Sequence, residues 1–125
     1  MKIDIMKLNS QGAQILEDFV KNMGIEGAIL ATSEGLEMAS YFTNSSRDAD
    51  LIAADSASML ATISGMLDNT DKGALKEMII TAENGSIAVK DLGDDIALAV
   101  LAPDHYKMGG LVVALKSFIK EIQEF

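Results

Sequence analysis

Ser56-Ala57-Ser58-Met59-Leu60-Ala61-Thr62-Ile63-Ser64-Gly65-Met66-Leu67 runs for twelve residues without a charge, in the middle of the longest helical pattern of the chain. A helix with no wet face has to be covered on every side. The pattern of this 125-residue chain offers three helices and one sheet, and the sheet can cover only one side of this helix. The remaining cover is expected from a second copy or a partner. Winding Asp48 to Asp68 at about 100° per residue gathers Ile52, Met59, Leu60, Ile63, Met66 and Leu67 on one side. Ala54, Ala57, Ser58, Ala61, Ser64 and Gly65 fall on the other. The large side chains are expected on the sheet and the small ones outward, where another backbone can approach. A sparsely charged solvent face is the alternative reading.

Working outward from this helix, Ser46 or Asp48 is placed to cap its start. Upstream, Glu26–Ala31 and Leu36–Phe42 read as a hairpin joined by Thr32-Ser33-Glu34-Gly35. Before them, Ile15, Leu16, Phe19, Val20 and Met23 recur at helical spacing, with Ser10 as the expected cap and Gly24 as the stop. Residues 1–9 are expected to be an N-terminal tail and residues 10–125 the domain. Downstream comes a meander: Leu75–Glu83, the turn Asn84-Gly85, Ser86–Leu92, the turn Gly93-Asp94-Asp95, and Ile96–Ala102. Asn-Gly between apolar runs is a strong hairpin signal. Both alternating sets of Ile96–Ala102 are apolar, so that strand is expected at the centre of the sheet. Ser86–Leu92 carries Lys90 and Asp91 and is expected to lie nearer an edge or to extend beyond the helices. After Pro103, Met108, Leu111, Val112, Leu115, Phe118, Ile119 and Ile122 form an amphipathic third helix. The order αββαβββα predicts an α+β fold, a five-stranded antiparallel sheet with helices on both faces.

The composition narrows the function. A hydrophobic share of 49% with one proline suits one compact domain. The absence of cysteine removes disulfides, thiol chemistry and cysteine-type zinc sites. The opening MKIDIMKLNS lacks the apolar core of a secretory signal, and no apolar run approaches a membrane span, so a cytoplasmic protein without direct membrane insertion is expected. A net charge of −9 with scattered lysines argues against nucleic acid as a partner. A charged partner surface should be basic.

Catalytic chemistry finds little support. The single histidine, His105, follows Pro103-Asp104 and reads as part of a helix-start turn, with no paired nucleophile in sequence. Around Gly73 the positions of a calcium loop fall on Thr70, Lys72 and Ile79, which cannot serve it. Neither the phosphate-binding glycine loop nor the dinucleotide fingerprint is present. Arg47, the only arginine, lies just before the central helix and could enter a partner's phosphate site. The plainer reading is a solvated loop residue, with Asp48 or Asp50 as the nearest partners in sequence. Asp94 and Asp95 read as turn residues. No catalytic residue, metal or cofactor is expected.

The segment Ile25-Glu26-Gly27-Ala28-Ile29-Leu30-Ala31-Thr32-Ser33-Glu34-Gly35-Leu36-Glu37-Met38-Ala39-Ser40 resembles the opening of the Roadblock family, which includes dynein light chains and MglB-like regulators of small GTPases. A strand of the form v-x-G-a-l-l, an acidic residue and glycine in the turn, and l-x-x-A-S all occur here. The Ala/Ser-rich second helix and the Gly93-Asp94-Asp95 turn extend the likeness from Ser10 to the C-terminus. The resemblance implies a Roadblock/profilin-like fold and a homodimer, or a heterodimer with a related chain. In it, second helices pack together and third strands join two sheets, which brings Ile79 and Thr81 into the interface with Ala54, Ala57, Ser58, Ala61, Ser64 and Gly65. It further implies a non-catalytic role, binding a Ras-like small GTPase and modulating its nucleotide cycle, with Arg47, Asp50 and Ala54 as candidate contacts. A small-molecule sensor, holding a ligand between sheet and helix, or a GTPase-independent scaffold is the competing expectation.

Overall fold

The computed structural model describes residues 3 to 124; Met1, Lys2 and Phe125, which belong to the expected tail and domain ends, lie outside the described residues. The elements are α1 (Ile5–Met23), β1 (Gly27–Thr32), β2 (Glu37–Phe42), α2 (Ala49–Asn69), β3 (Met78–Ala82), β4 (Gly85–Gly93), β5 (Ile96–Pro103) and α3 (Met108–Gln123). All strand pairs are antiparallel, in the order β2-β1-β5-β4-β3. The chain has the α+β architecture that its element order implies, and β5 is the central strand.

Side-chain alternation divides the sheet between two cores. Ala28 and Leu30 of β1 and Leu98, Val100 and Ala102 of β5 face α1 and α3. Ile29, Ala31, Val89 and Ala99 face α2. The larger core is locked where α1 meets α3, the rings of Phe19 and Phe118 lying 4.7 Å apart.

The first helix begins earlier than Ser10. Asp4 is its cap, its carboxylate accepting from the backbone N–H of Lys7 at 3.1 Å, while the Ser10 hydroxyl donates back to the carbonyl of Lys7. The described part of the expected tail is therefore structured: Ile3 and Leu8 are buried in the main core. Burying those two side chains outweighs the capping preference of a serine that finds a partner inside the helix. At α2 the cap is Asp48, which accepts from the N–H of Leu51 at 3.1 Å. Ser46 is engaged elsewhere, its hydroxyl and its N–H both bonded to Asn44.

The packing of α2 differs from a simple division into large side inward and small side outward. The residues of α2 that are fully buried are Ala53 and Ser56, small ones. They let the axis approach the sheet where Ile29, Ala31, Val89 and Ala99 stand. Ile52, Met59 and Leu60 flank that line of contact and are half-buried, whereas Met66 is 59% exposed. Gly35 of the β1–β2 turn, at φ 91°, fits beneath the same helix: a Cβ there would stand 3.1 Å from the Cα of Ala54. Strand β3 is shorter than Leu75–Glu83: it starts at Met78, and in the lead-in the carbonyl of Lys76 accepts from the side chain of Lys90.

Candidate interaction surface

Two edges bound the sheet, and they differ in how they are guarded. Strand β2 carries Glu37 and lies beneath α1, which packs on it through Gly12 against Ala39. Strand β3 reads Met78-Ile79-Ile80-Thr81-Ala82, without charge or proline. A flat apolar edge of this kind is a template for another strand. Its register against β4 ends at Ala82 opposite Gly85, across the two-residue turn Glu83-Asn84. A pair closing such a turn exchanges backbone hydrogen bonds. Ala82, Ile80 and Met78 thus spend their backbone groups on β4, and Ile79 and Thr81 direct theirs outward.

Beside that edge lies an apolar trough of about 410 Å³ lined by Ser58, Met59, Thr62 and Ile63 of α2 and by Met78 and Ile80 of β3. Ile80 is 38% exposed within it. Of the interface candidates of the helix, Ser58 lines this trough. Ala54 and Gly65 are exposed on the outer side of α2. Ala57, Ala61 and Ser64 instead line a hollow of about 310 Å³ against the β4–β5 turn, with Ser33, Asp91, Asp94 and Asp95. Of the strand candidates, Thr81 is exposed, while the side chain of Ile79 packs on the main core. The trough thus adds Met59, Thr62, Ile63, Met78 and Ile80 to the interface candidates; in the sequence the uncharged run from Met78 to Ala82 marks only the last two.

The solitary arginine does not pair with Asp48 or Asp50. Arg47 stands 3.8 Å from the carboxylate of Glu26, and both side chains are half-exposed. Asp50 and Ala54 are exposed near the start of α2, on the same end of the molecule. His105 is exposed and lies 3.8 Å from Asp104. Asp94 and Asp95 both have positive φ, 52° and 60°, as the two central positions of a tight hairpin turn require. Among the described residues, no group of three or more His, Asp or Glu is arranged to hold a metal ion. No described helix is long and apolar enough to cross a membrane.

Solved structures share this fold. MglB of Myxococcus xanthus superposes with a TM-score of 0.82 at 14% identity, over 90% of this chain and 91% of that one. A Roadblock/LC7 domain from Streptomyces avermitilis gives 0.78 at 17% identity, over 90% and 94%. The gliding protein MglB of Thermus thermophilus gives 0.77 at 15%, over 94% and 92%. No curated protein sequence matches the chain. The sequence profile of the Roadblock/LC7 domain matches residues 12–102, from the first helix through the central strand; the chain belongs to the Roadblock/LC7 family.

Proposed function

We propose that the chain is a non-catalytic regulator or scaffold of a Ras-like small GTPase, working in the cytoplasm as a dimer. The observation that carries the dimer is the unguarded β3 edge lying beside the apolar trough under α2. Two copies pairing β3 antiparallel about Ile80 would set Ile79 of each opposite Thr81 of the other, the positions with outward backbone groups. The same association covers the trough from Ser58 to Ile63 with the α2 of the second copy. A pairing of this kind is self-complementary and closes after two subunits.

Family membership and the likeness in fold to MglB proteins support the GTPase as partner. Binding one nucleotide state of the switch segments better than the other shifts the GTPase population without any catalytic group on this chain. The exposed start of α2, with Arg47, Asp50 and Ala54, supplies contacts on one side of the dimer. The test is capture from lysate of the source cells on the immobilised protein, with GDP or a slowly hydrolysed GTP analogue. Nucleotide-dependent recovery of a small GTPase is expected. A folded dimer that recovers none in either state would overturn the reading in favour of a GTPase-independent scaffold or a sensor.

A further inference from the structure

The hollow of about 310 Å³ between α2 and the β4–β5 turn combines apolar walls with unmatched negative charge. Leu60, Ala61 and Ala97 line it together with the carboxyl-bearing Asp91, Asp94 and Asp95, all three of which are exposed. Two hydrogen bonds fix its frame. The N–H of Ser33, in the β1–β2 turn, donates to the carbonyl of Asp95 at 2.9 Å, and the N–H of Gly93 donates to the Asp91 carboxylate at 2.9 Å. Among the described residues no lysine, arginine or histidine lines the hollow. Nor does α2 bring one: between Arg47 and Lys72 the chain has five acids and no basic residue. The last turn of α2 therefore has no cation to offset the negative end of the helix dipole.

The proposed dimer leaves this hollow open. It takes α2 on the side of β3, through Ser58, Met59, Thr62 and Ile63, and none of these four lines the hollow. The two turns that bound it join β1 to β2 and β4 to β5, and neither belongs to the β3 edge.

We infer that the hollow receives an arginine side chain from a partner protein. Apolar walls leading to carboxylates suit a side chain with an apolar stem and a cationic head. The stem removes Leu60 and Ala61 from water. The guanidinium is planar and weakly hydrated and bonds two carboxylate oxygens at once, which an ammonium group does not. The three carboxylates also steer a basic surface during approach, and this gives the association rate a salt dependence. The inference rests on the reading that a partner docks on the α2 side, and it specifies one contact of that partner.

The test titrates the ¹⁵N-labelled full chain with a short peptide whose only charge is a central arginine, and with its citrulline counterpart, which keeps the shape without the charge. Saturable amide shifts at Ser33, Gly93 and Ala97 are expected with the arginine peptide alone. D94N/D95N removes two charges while keeping the turn, since asparagine tolerates the positive φ of both positions. E121Q/E124Q removes the same charge from exposed positions of α3 and beyond its end, on the other face of the sheet. Circular dichroism confirms that each variant is folded. The arginine peptide should bind about tenfold more weakly to D94N/D95N and unchanged to E121Q/E124Q. Equal losses in the two variants, or equal binding of the citrulline peptide, would overturn the inference. GTPase capture separates it from the regulator reading. A GTPase held equally well by wild type and D94N/D95N keeps the regulator and removes the arginine contact. The expected peptide results with no GTPase recovered keep the contact and remove the regulator.

Discussion

Gly12 of α1 lies against Ala39 of β2 so closely that a Cβ on the glycine would stand 2.8 Å from that of the alanine. The contact seats the first helix on an edge strand, and both residues are buried in it. Helix propensity alone favours almost any other residue at position 12, by up to about 1 kcal/mol. Overpacking a contact this tight costs about 1–3 kcal/mol, and neither backbone has a flexible side chain to give way. Gly12→Val gains little propensity and adds an isopropyl group, whose Cβ alone already clashes, so the steric term wins. The variant should lose about 2 kcal/mol of stability, read from the midpoint of urea denaturation at unchanged slope.

The position of the α1 cap yields a second test. Asp4→Ala removes the acceptor for the Lys7 N–H and should destabilise the fold by about 1 kcal/mol. Ser10 lies within the helix, its hydroxyl bonded to a carbonyl one turn back. Ser10→Ala should therefore change stability by less than about 0.5 kcal/mol, since alanine is the better helix former. Were Ser10 the true cap, thermal denaturation of the two variants would give the reverse ranking.

The contrast between Asp4 and Ser10 shows what periodicity conveys and what it leaves out. Ile15, Leu16, Phe19 and Val20 define a helical stripe by themselves, and the structure buries all four. Ile3 and Leu8 extend the stripe only weakly, because the polar residues among them dilute the pattern. The central place of β5 is readable because Ile96–Ala102 is apolar on both alternating sets, as a central strand must be. The orientation of α2 was less readable. Ala53 and Ser56 carry no signal of burial in sequence, and the small residues that permit close approach to a sheet look the same as those that permit approach to a second helix. The trough beside β3 depends on how far α2 leans across the sheet, a quantity set by those two residues together and by no local pattern.

Ala53 and Ser56 therefore set the height of α2 above the sheet. Ala53 is completely buried against the smaller core. Ala53→Leu would force the helix outward and should cost about 1–3 kcal/mol, accompanied by weaker dimerisation as the trough widens. Ser56 spends its hydroxyl on the carbonyl of Ile52 at 2.7 Å, within its own helix. Ser56→Ala leaves no buried polar atom of the side chain unpaired and improves helix propensity, so it should be neutral to within about 0.5 kcal/mol. Chemical denaturation combined with sedimentation analysis separates the effect on the fold from the effect on assembly.

The β3 edge permits a sharper distinction between folding and association. With Ala82 and Gly85 closing the β3–β4 turn, the backbone N–H of Thr81 points away from β4. Proline at position 81 removes a donor that the monomer's sheet does not use, and edge strands tolerate it there. Thr81→Pro should thus keep the far-ultraviolet circular dichroism spectrum of the parent while the mass in solution falls from dimer to monomer. Proline at Ile80, whose N–H serves the ladder with β4, should instead unfold the hairpin. Ile80→Lys offers an independent check through the side chain: a charge in the half-exposed apolar trough costs little in a monomer, where water reaches it, and much at a covered two-fold axis. Dimers that persist in both Thr81→Pro and Ile80→Lys, measured by light scattering over a dilution series, would place the association surface elsewhere, with the outer residues Ala54 and Gly65 of α2 next in line.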